Sequence, residues 1–352
     1  MFRFALAAAV LTLVLVAGTA GARTEANVYS VQNLVSDTAT TAPTTDPSLV
    51  NGWGLSAGPT TPWWSSNNGT NTTTLYNGSG AKQTLTVSVP GGPTGTVFNG
   101  TAADFAVTQN GKTGSARFLF STEAGTILGW STGVNATTAI PGVDRSSQGA
   151  VYKGLATMSD RLYATDFHNG RVDVFDASFN PVPLAGGFQD KKVPKGFAPF
   201  GIQALAGNIF VTYAKQDAAK HDDVAGPGLG YVDEFTPDGT LVARVASGGR
   251  KNAPPNAPWG LALAPSTFGV FAGDVLVGNF GNGRISAYQQ RGGTWVYKGQ
   301  LRLGDGTLLT LDGLWAIAFG NGAAAGPTST LYFVAGPGDE KHGMFGAITA
   351  TG

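Results

Sequence analysis

Three histidines are the side chains best suited to acid–base or metal chemistry, and each lies in a polar stretch. His221 lies in Lys220-His-Asp-Asp223, His342 ends Asp339-Glu-Lys-His342, and His168 follows an aspartate by two positions. Neutral imidazole and carboxylate suit zinc, copper or iron, and imidazole can serve as a general base near neutral pH. The candidate bases are His168 and His221. The candidate metal ligands of these stretches are His168, His221, Asp222, Asp223, Asp339, Glu340 and His342.

These stretches also have an ordinary interpretation as solvated loops. No tight metal-binding spacing such as His-Glu-x-x-His occurs in the chain. In that interpretation Lys220, Asp222 and Asp223 form exposed surface charge and the histidines are there because the loops are polar.

A second set of candidates is defined by its position in repeated strands. Oxygen-bearing side chains stand where the second strand of a repeat ends, and tryptophans stand where the first strand begins. Together they predict a ligand-binding face with a polar rim and an apolar floor, and the carboxylate and amide oxygens suit calcium. Alternatively, the polar residues cap turns and the aromatic residues fill the core. The members of this face are Trp53, Asn67, Glu123, Asp166, Tyr213, Trp259, Asn279 and Trp315, of which Glu123, Asp166 and Asn279 are further metal candidates.

The composition excludes several other chemistries. The chain has no cysteine, so it has neither a thiol nucleophile nor disulfides. Lys plus Arg and Asp plus Glu are balanced at 22 each, which leaves no basic field for nucleic acid. No phosphate-binding loop and no nucleophile elbow is present.

The elements that must position the candidates are repeated hairpins. The segments Leu162–Phe175, Val275–Tyr288 and Trp63–Tyr76 align without a gap. Each contains a strand, an Asn-Gly turn and a second strand of alternating apolar residues, which is a strong hairpin signal. Weaker copies are Phe118 to Trp130, Ile209 to Phe235 and Leu331 to Ile348.

A short triplet precedes each hairpin, with a small residue at its centre. Such a residue is expected where inner strands crowd around an axis. A unit of about fifty residues with three or four strands is typical of a propeller blade. The six triplets are Trp53-Gly-Leu55, Phe105-Ala-Val107, Lys153-Gly-Leu155, Phe200-Gly-Ile202, Trp259-Gly-Leu261 and Trp315-Ala-Ile317. The sequence therefore predicts an all-β, six-bladed β-propeller.

The N-terminal region predicts both closure and export. The last repeat lacks an outer strand of its own, and the stretch Asn27–Val35 can supply one and so close the ring. Before it, a basic start, an apolar run from Phe4 to Gly18 and small residues up to Ala22 are typical of a signal peptide. We expect a signal peptide at 1–22 and one propeller domain at 23–352. The mature chain is expected to be monomeric, without membrane insertion, and secreted or periplasmic.

The pattern resembles the NHL-like six-bladed propellers, and more closely a bacterial family of exported propellers described as conserved hypothetical proteins. The motifs that carry the closer resemblance are Asn33-Leu-Val-Ser-Asp37, Asn51-Gly-Trp-Gly-Leu55, Tyr213-Ala-Lys-Gln-Asp217 with Lys220-His-Asp-Asp223, Trp259-Gly-Leu-Ala262 and Gly336-Pro-Gly-Asp-Glu-Lys-His-Gly343. This resemblance covers nearly all of the mature chain. It implies the fold and export, and no particular activity.

Two functions of different class follow from the sequence. The first is a binding or scaffold module whose loop face holds a small molecule, peptide, glycan or protein. The second is a metal-dependent hydrolase or lyase, similar at the level of fold to six-bladed lactonases. In that case calcium or a transition metal would be bound by Glu123, Asp166 and Asn279, and His168 or His221 would be the base.

Overall fold

The structure is a computed structural model that describes Met1 and residues 26–351. The predicted signal peptide at 1–22 lies outside the described residues except for Met1. No helix among the described residues is long and apolar enough to cross a membrane.

Short β-strands make up the molecule. In chain order they are β1 (Tyr29–Ser36), β2 (Thr44–Thr45), β3 (Gly52–Ser56), β4 (Trp63–Asn67), β5 (Thr72–Tyr76), β6 (Lys82–Ser88), β7 (Pro93–Phe98), β8 (Ala106–Gln109), β9 (Lys112–Ser115), β10 (Phe118–Thr122), β11 (Thr126–Trp130), β12 (Ile140–Asp144), β13 (Tyr152–Met158), β14 (Arg161–Asp166), β15 (Arg171–Phe175), β16 (Phe197–Leu205), β17 (Asn208–Lys215), β18 (Gly230–Phe235), β19 (Leu241–Ala246), β20 (Pro258–Leu263), β21 (Val275–Asn279), β22 (Arg284–Arg291), β23 (Thr294–Gln300), β24 (Leu314–Phe319), β25 (Leu331–Ala335) and β26 (Met344–Ala350). Within residues 26–351, four single 3₁₀ turns lie at Asn68–Thr70, Ser146–Gln148, Gly269–Phe271 and Phe280–Asn282.

These strands form six antiparallel blades arranged as a six-bladed β-propeller, as predicted. From the axis outwards the blades are β3-β4-β5-β6, β7-β10-β11-β12, β13-β14-β15, β16-β17-β18-β19, β20-β21-β22-β23 and β24-β25-β26-β1. The strand β2 adds to β1 in parallel, and β8 with β9 forms a separate hairpin. The third blade is the one that has three strands.

The predicted closing strand is confirmed. β1 pairs antiparallel with β26, in a register that runs from Tyr29 opposite Ala350 to Ser36 opposite Met344. The outer edge of the last blade is therefore covered by a strand from near the start of the described chain.

Small residues line the axis because neighbouring inner strands approach closely there. A Cβ atom on Gly201 would lie 2.2 Å from the carbonyl oxygen of Trp259, and one on Gly54 would lie 2.4 Å from that of Thr94. Five of the six inner strands carry the predicted triplet.

The prediction for the second blade was wrong. Its inner strand is β7, where Thr94-Gly95-Thr96 has the small central residue but no aromatic residue before it. The stretch Phe105–Val107 leads into the β8–β9 hairpin instead. Phe105 is buried away from the axis, where its ring packs on that of Phe179 with ring centres 5.4 Å apart.

Candidate functional site

One end of the channel collects charged side chains from four blades. This is the end at which inner strands begin and second strands stop, so the β10–β11, β17–β18 and β25–β26 loops open there. We call the following group the mouth cluster: Glu123, Lys153, His221, Asp222, Asp223 and Glu340.

Lys153 is the centre of the mouth cluster. It lies in β13 at the position where other inner strands carry Trp or Phe, and its side chain has no exposed surface. Its Nζ donates to Oε1 of Glu123 at 2.5 Å and to Oδ1 of Asp222 at 3.1 Å. It also lies 4.6 Å from the centre of the Trp53 ring. A buried ammonium is costly unless it is paired, and here two carboxylates and an aromatic face supply that pairing.

Glu123 is held on both oxygens. It lies in the tight turn between β10 and β11, where its backbone N–H donates to the carbonyl of Gly92. Its Oε2 accepts from Nδ2 of Asn68, 2.8 Å away, while Oε1 accepts from Lys153. Its side chain is 18% exposed, so solvent reaches it from the mouth.

The β17–β18 loop delivers a histidine beside an aspartate. Nδ1 of His221 lies 3.1 Å from Oδ2 of Asp222, and the two side chains are 45% and 60% exposed. The loop is shaped by Asp217, whose Oδ1 accepts from the backbone N–H of His221 at 2.8 Å. Partial burial would raise the pKa of Asp222, but the charge of Lys153 and hydrogen bonds from His221 and Lys153 lower it overall. The pair is thus an oriented imidazole next to an ionised carboxylate.

Two further carboxyl groups of the mouth cluster have raised pKa values. Burial raises the pKa of Asp223 to about 7, and repulsion from Glu340 and Asp222 adds to it while Lys153 opposes it. Burial likewise raises the pKa of Glu340 to about 7, with repulsion from Asp222 and Glu123 adding to it. Oδ2 of Asp223 is buried without a hydrogen-bond partner. Glu123 and Asp222 therefore pair with Lys153 directly, whereas its charge acts on Asp223 and Glu340 without a hydrogen bond.

Below the mouth cluster, aromatic rings close the channel. Trp53 stacks on Trp315 with ring centres 3.7 Å apart, and Trp259 meets both edge-on at 5.2 and 5.3 Å. The three rings are at most 5% exposed. They form a packed apolar layer below the mouth cluster, and Lys153 lies over the ring of Trp53.

The predicted polar rim does not come together as one site. Asn67, Asp166 and Asn279 are fully buried and bind the turns of their own blades. Oδ1 of Asp166 accepts from the backbone N–H of Val151, and Oδ1 of Asn279 accepts from that of Asn256. Tyr213 lies in the apolar core and donates to a backbone carbonyl.

The three histidines also separate. Of these, His221 belongs to the mouth cluster. Nδ1 of His342 lies 2.9 Å from Oδ2 of Asp37, so it ties the β25–β26 loop to the end of β1. The backbone carbonyl of His168 accepts a hydrogen bond from Nε2 of Gln216. The side chain of Asp339 is almost fully exposed, and its Oδ2 lies 3.9 Å from Nζ of Lys341.

A divalent cation does not fit the mouth cluster well. Glu123, His221 and Asp222 are the one group among the described residues whose possible ligand atoms lie within 4.8 Å of one another. However, one oxygen of each carboxylate already binds the ammonium of Lys153, and a metal would have to lie beside that positive charge. The imidazole and carboxylate donors suit a metal, but the positive charge of Lys153 opposes its binding.

Lys153 is the residue whose role the sequence analysis missed. The signal was present, because a lysine stands at a position where four other inner strands have Trp or Phe. Its partners lie 30 and 69 positions away along the chain, and nothing local indicates them.

Comparison with solved structures places the fold among propeller enzymes. A streptogramin B lyase matches with a TM-score of 0.52 and 12% identity, over 92% of this chain and 97% of that one. The aldose sugar dehydrogenase of Escherichia coli matches with a TM-score of 0.55 and 13% identity, over 92% and 100%. At this identity the likeness concerns the fold alone.

Sequence comparison finds relatives in a virus. No family profile matches the sequence. Uncharacterized protein R640 of Acanthamoeba polyphaga mimivirus is 33% identical over 229 residues, 64% of this chain and 42% of that protein, so the match spans less than half of it. Uncharacterized protein R648 of the same virus is 31% identical over 310 residues, 85% of this chain and 75% of that protein. These relatives do not support the bacterial origin that the resemblance implied. The chain belongs to the same family as the mimivirus protein R648.

Proposed function

We propose that this chain is an exported, monomeric binding propeller whose mouth cluster holds a ligand bearing an ammonium or guanidinium group, such as an amine or a basic peptide side chain. The observation that carries the proposal is the excess of carboxyl groups over cations around Lys153. The mouth cluster has four carboxyl groups, one lysine and one histidine.

The raised pKa values of Asp223 and Glu340 indicate where a second cation would be stabilised. Both groups resist ionisation because they are buried and because other carboxylates lie nearby. A ligand cation would relieve that repulsion and would let both groups release their protons. An organic cation suits the site better than a metal because it needs one or two oxygens and not a complete ligand shell.

Binding is better supported than metal-dependent hydrolysis because the mouth cluster does not suit a catalytic metal. Lys153 neutralises the carboxylates that would hold the ion.

The predicted signal peptide supports a location outside the cytoplasm, secreted or periplasmic, and the lack of cysteine is compatible with either.

The test is calorimetry with spermidine and with a lysine-containing tripeptide, at low salt and about pH 8. Asp222→Asn keeps the shape of an exposed side chain and removes its charge, so affinity should fall about tenfold. Asp339→Asn is the matched control, because Asp339 is a neighbouring exposed carboxylate outside the mouth cluster, and it should bind like the native chain. Failure of both probes to bind at millimolar concentration, or equal loss in the two variants, would refute the proposal.

A second function is supported by the geometry of His221. With the proton on Nδ1 directed at Asp222, Nε2 is left to accept a proton from a substrate, which is how a general base is oriented. The chain would then be a hydrolase or lyase acting at the mouth without a metal. Turnover of esters or lactones that His221→Gln abolishes while the melting temperature is unchanged would favour this function over simple binding.

A further inference from the structure

The third blade lacks an outer strand, and the part of the β15 edge at Val172 is left open. The other five blades each have a fourth strand at this position: β6, β12, β19, β23 and β1. In the third blade the described chain turns after β15 and makes a single bridge, between Phe175 and Pro181. The two prolines that flank Val182 have no N–H to donate, so this segment cannot continue along the strand.

The open edge presents backbone groups in the right direction. The carbonyl of Val174 points outwards, since it accepts from the N–H of Val182 at 2.8 Å. In an antiparallel ladder outward-facing residues alternate, so the N–H and C=O of Val172 point the same way. Neither group of Val172 has a partner among the hydrogen bonds of the described residues.

A cavity of about 400 Å³ lies along this edge. Its apolar wall includes the half-buried side chains of Val172, Val182 and Leu184 and the buried ring of Phe188. Apolar side chains that alternate along an added strand would face this wall.

The charged residues of the remaining wall are Arg145, Arg171 and Asp173. Arg145 lines the cavity, and among the ion pairs of the described residues it has no carboxylate partner, since its Nη1 donates to the amide oxygen of Gln148. Arg171 lines it too, although Asp173 and Asp166 already compensate its charge. The loop that carries the wall residue Phe188 continues with Lys191 and Lys192, both exposed.

We propose that the outer edge of β15 is a docking site for an extended acidic peptide segment, which adds to the third blade as its missing fourth strand. The backbone of Val172 supplies the hydrogen bonds, the apolar wall receives alternate side chains, and Arg145 binds a carboxylate. This is peptide recognition by strand addition, with charge selecting the partner. The site is separate from the mouth cluster and does not depend on the function proposed for it.

The probe is a dye-labelled hexapeptide that alternates Val and Glu, measured by fluorescence anisotropy. We expect micromolar binding, and at least about tenfold weaker binding of the matching Val and Lys peptide. A third peptide with methylated backbone nitrogens cannot donate from its main chain, and it should lose binding without any change to the protein.

Two variants of the protein test the same contacts. Val172→Pro removes the outward N–H of an edge strand and leaves the ladder to β14 intact, and Val172→Thr is its matched control. Arg145→Gln should weaken the acidic peptide about tenfold and leave the basic peptide unchanged. Melting curves show whether each variant is folded, and if Val172→Pro does not fold, the methylated peptide on the native chain decides.

Three binding results would overturn the proposal. They are no binding of the acidic peptide at millimolar concentration, equal binding of the methylated peptide, and equal binding to the Arg145→Gln variant. A native chain that sediments as a dimer and becomes monomeric in Val172→Pro would also overturn it, because a second copy would then occupy the edge.

Discussion

Replacing Lys153 by methionine tests the electrostatics of the mouth cluster most directly. Methionine keeps an unbranched side chain one heavy atom shorter than lysine and removes the cation that Glu123 and Asp222 share. Breaking a fully buried ion pair costs about 3–5 kcal/mol. Glu123 and Asp222 are 18% and 60% exposed, so water compensates part of the loss and about 2–3 kcal/mol remains.

This loss has a measurable thermal signature. With an unfolding entropy of about 2.1 cal/mol/K per residue over roughly 330 residues, about 3 kcal/mol lowers the melting temperature by about 4 °C. The decrease should be smaller at about pH 4.5, where the abandoned carboxylates can take up protons. The double variant Lys153→Met with Glu123→Gln should recover more than half of the loss, since it removes the unpaired charge.

The assay is calorimetric melting of the native chain, both single variants and the double variant at the two pH values. A Lys153→Met protein that melts at or above the native temperature at neutral pH would refute the reasoning. It would mean that the free energy of desolvating the ammonium is at least as large as the stabilisation from its two carboxylates. Replacement of a buried ion pair by apolar residues has this result in some proteins.

Three further outcomes are expected. Burial raises the pKa of Glu340 in the folded chain to about 7, against an ordinary value of 4.5. Its contribution to the free energy of unfolding is therefore complete below about pH 4 and is lost as the pH rises through 7. The melting temperature should therefore fall between about pH 5 and about pH 7.5, and Glu340→Gln should flatten that slope. The melting temperature of the native chain should not change with zinc or chelator, because Lys153 opposes a metal. In Lys153→Met zinc should raise the melting temperature. The opposite pattern would show that the native mouth cluster binds a metal. Gly201→Ala should cost about 1–3 kcal/mol in denaturant unfolding because its Cβ meets a backbone oxygen, while Gly133→Ala, with open space around it, should stay within about 0.5 kcal/mol.

Most of the fold was predictable because its signals are local. The Asn-Gly turn of Leu162–Phe175 and the alternation on either side of it identify a hairpin without reference to the rest of the chain. The closing strand β1 could be inferred from a missing partner in the last repeat. The inner strand of the second blade could not, because Thr94-Gly95-Thr96 retains the small residue needed at the axis and lacks the aromatic residue used to recognise the others.

The candidate site was less predictable because its members belong to different blades. His221 and Asp222 were recognised as chemically able residues, but their contact with Lys153 and Glu123 depends on how three blades are arranged around the axis. Asp166 illustrates the converse. The sequence analysis proposed its carboxylate as a ligand, but the carboxylate accepts hydrogen bonds from the backbone N–H of Val151 and from Nδ2 of Asn169.

The pairing of β1 with β26 also governs the order in which the molecule can be completed during synthesis. Tyr29 and Ala350 lie opposite each other, so β1 cannot pair until β26 has been synthesised. Bringing ends roughly 320 residues apart together carries a chain-closure entropy of about 5 kcal/mol. The intervening blades reduce that cost by folding first, since each hairpin needs only its neighbours. Until β26 has been synthesised, β1 lacks its partner strand, and an incomplete chain has to be protected from pairing β1 with another copy.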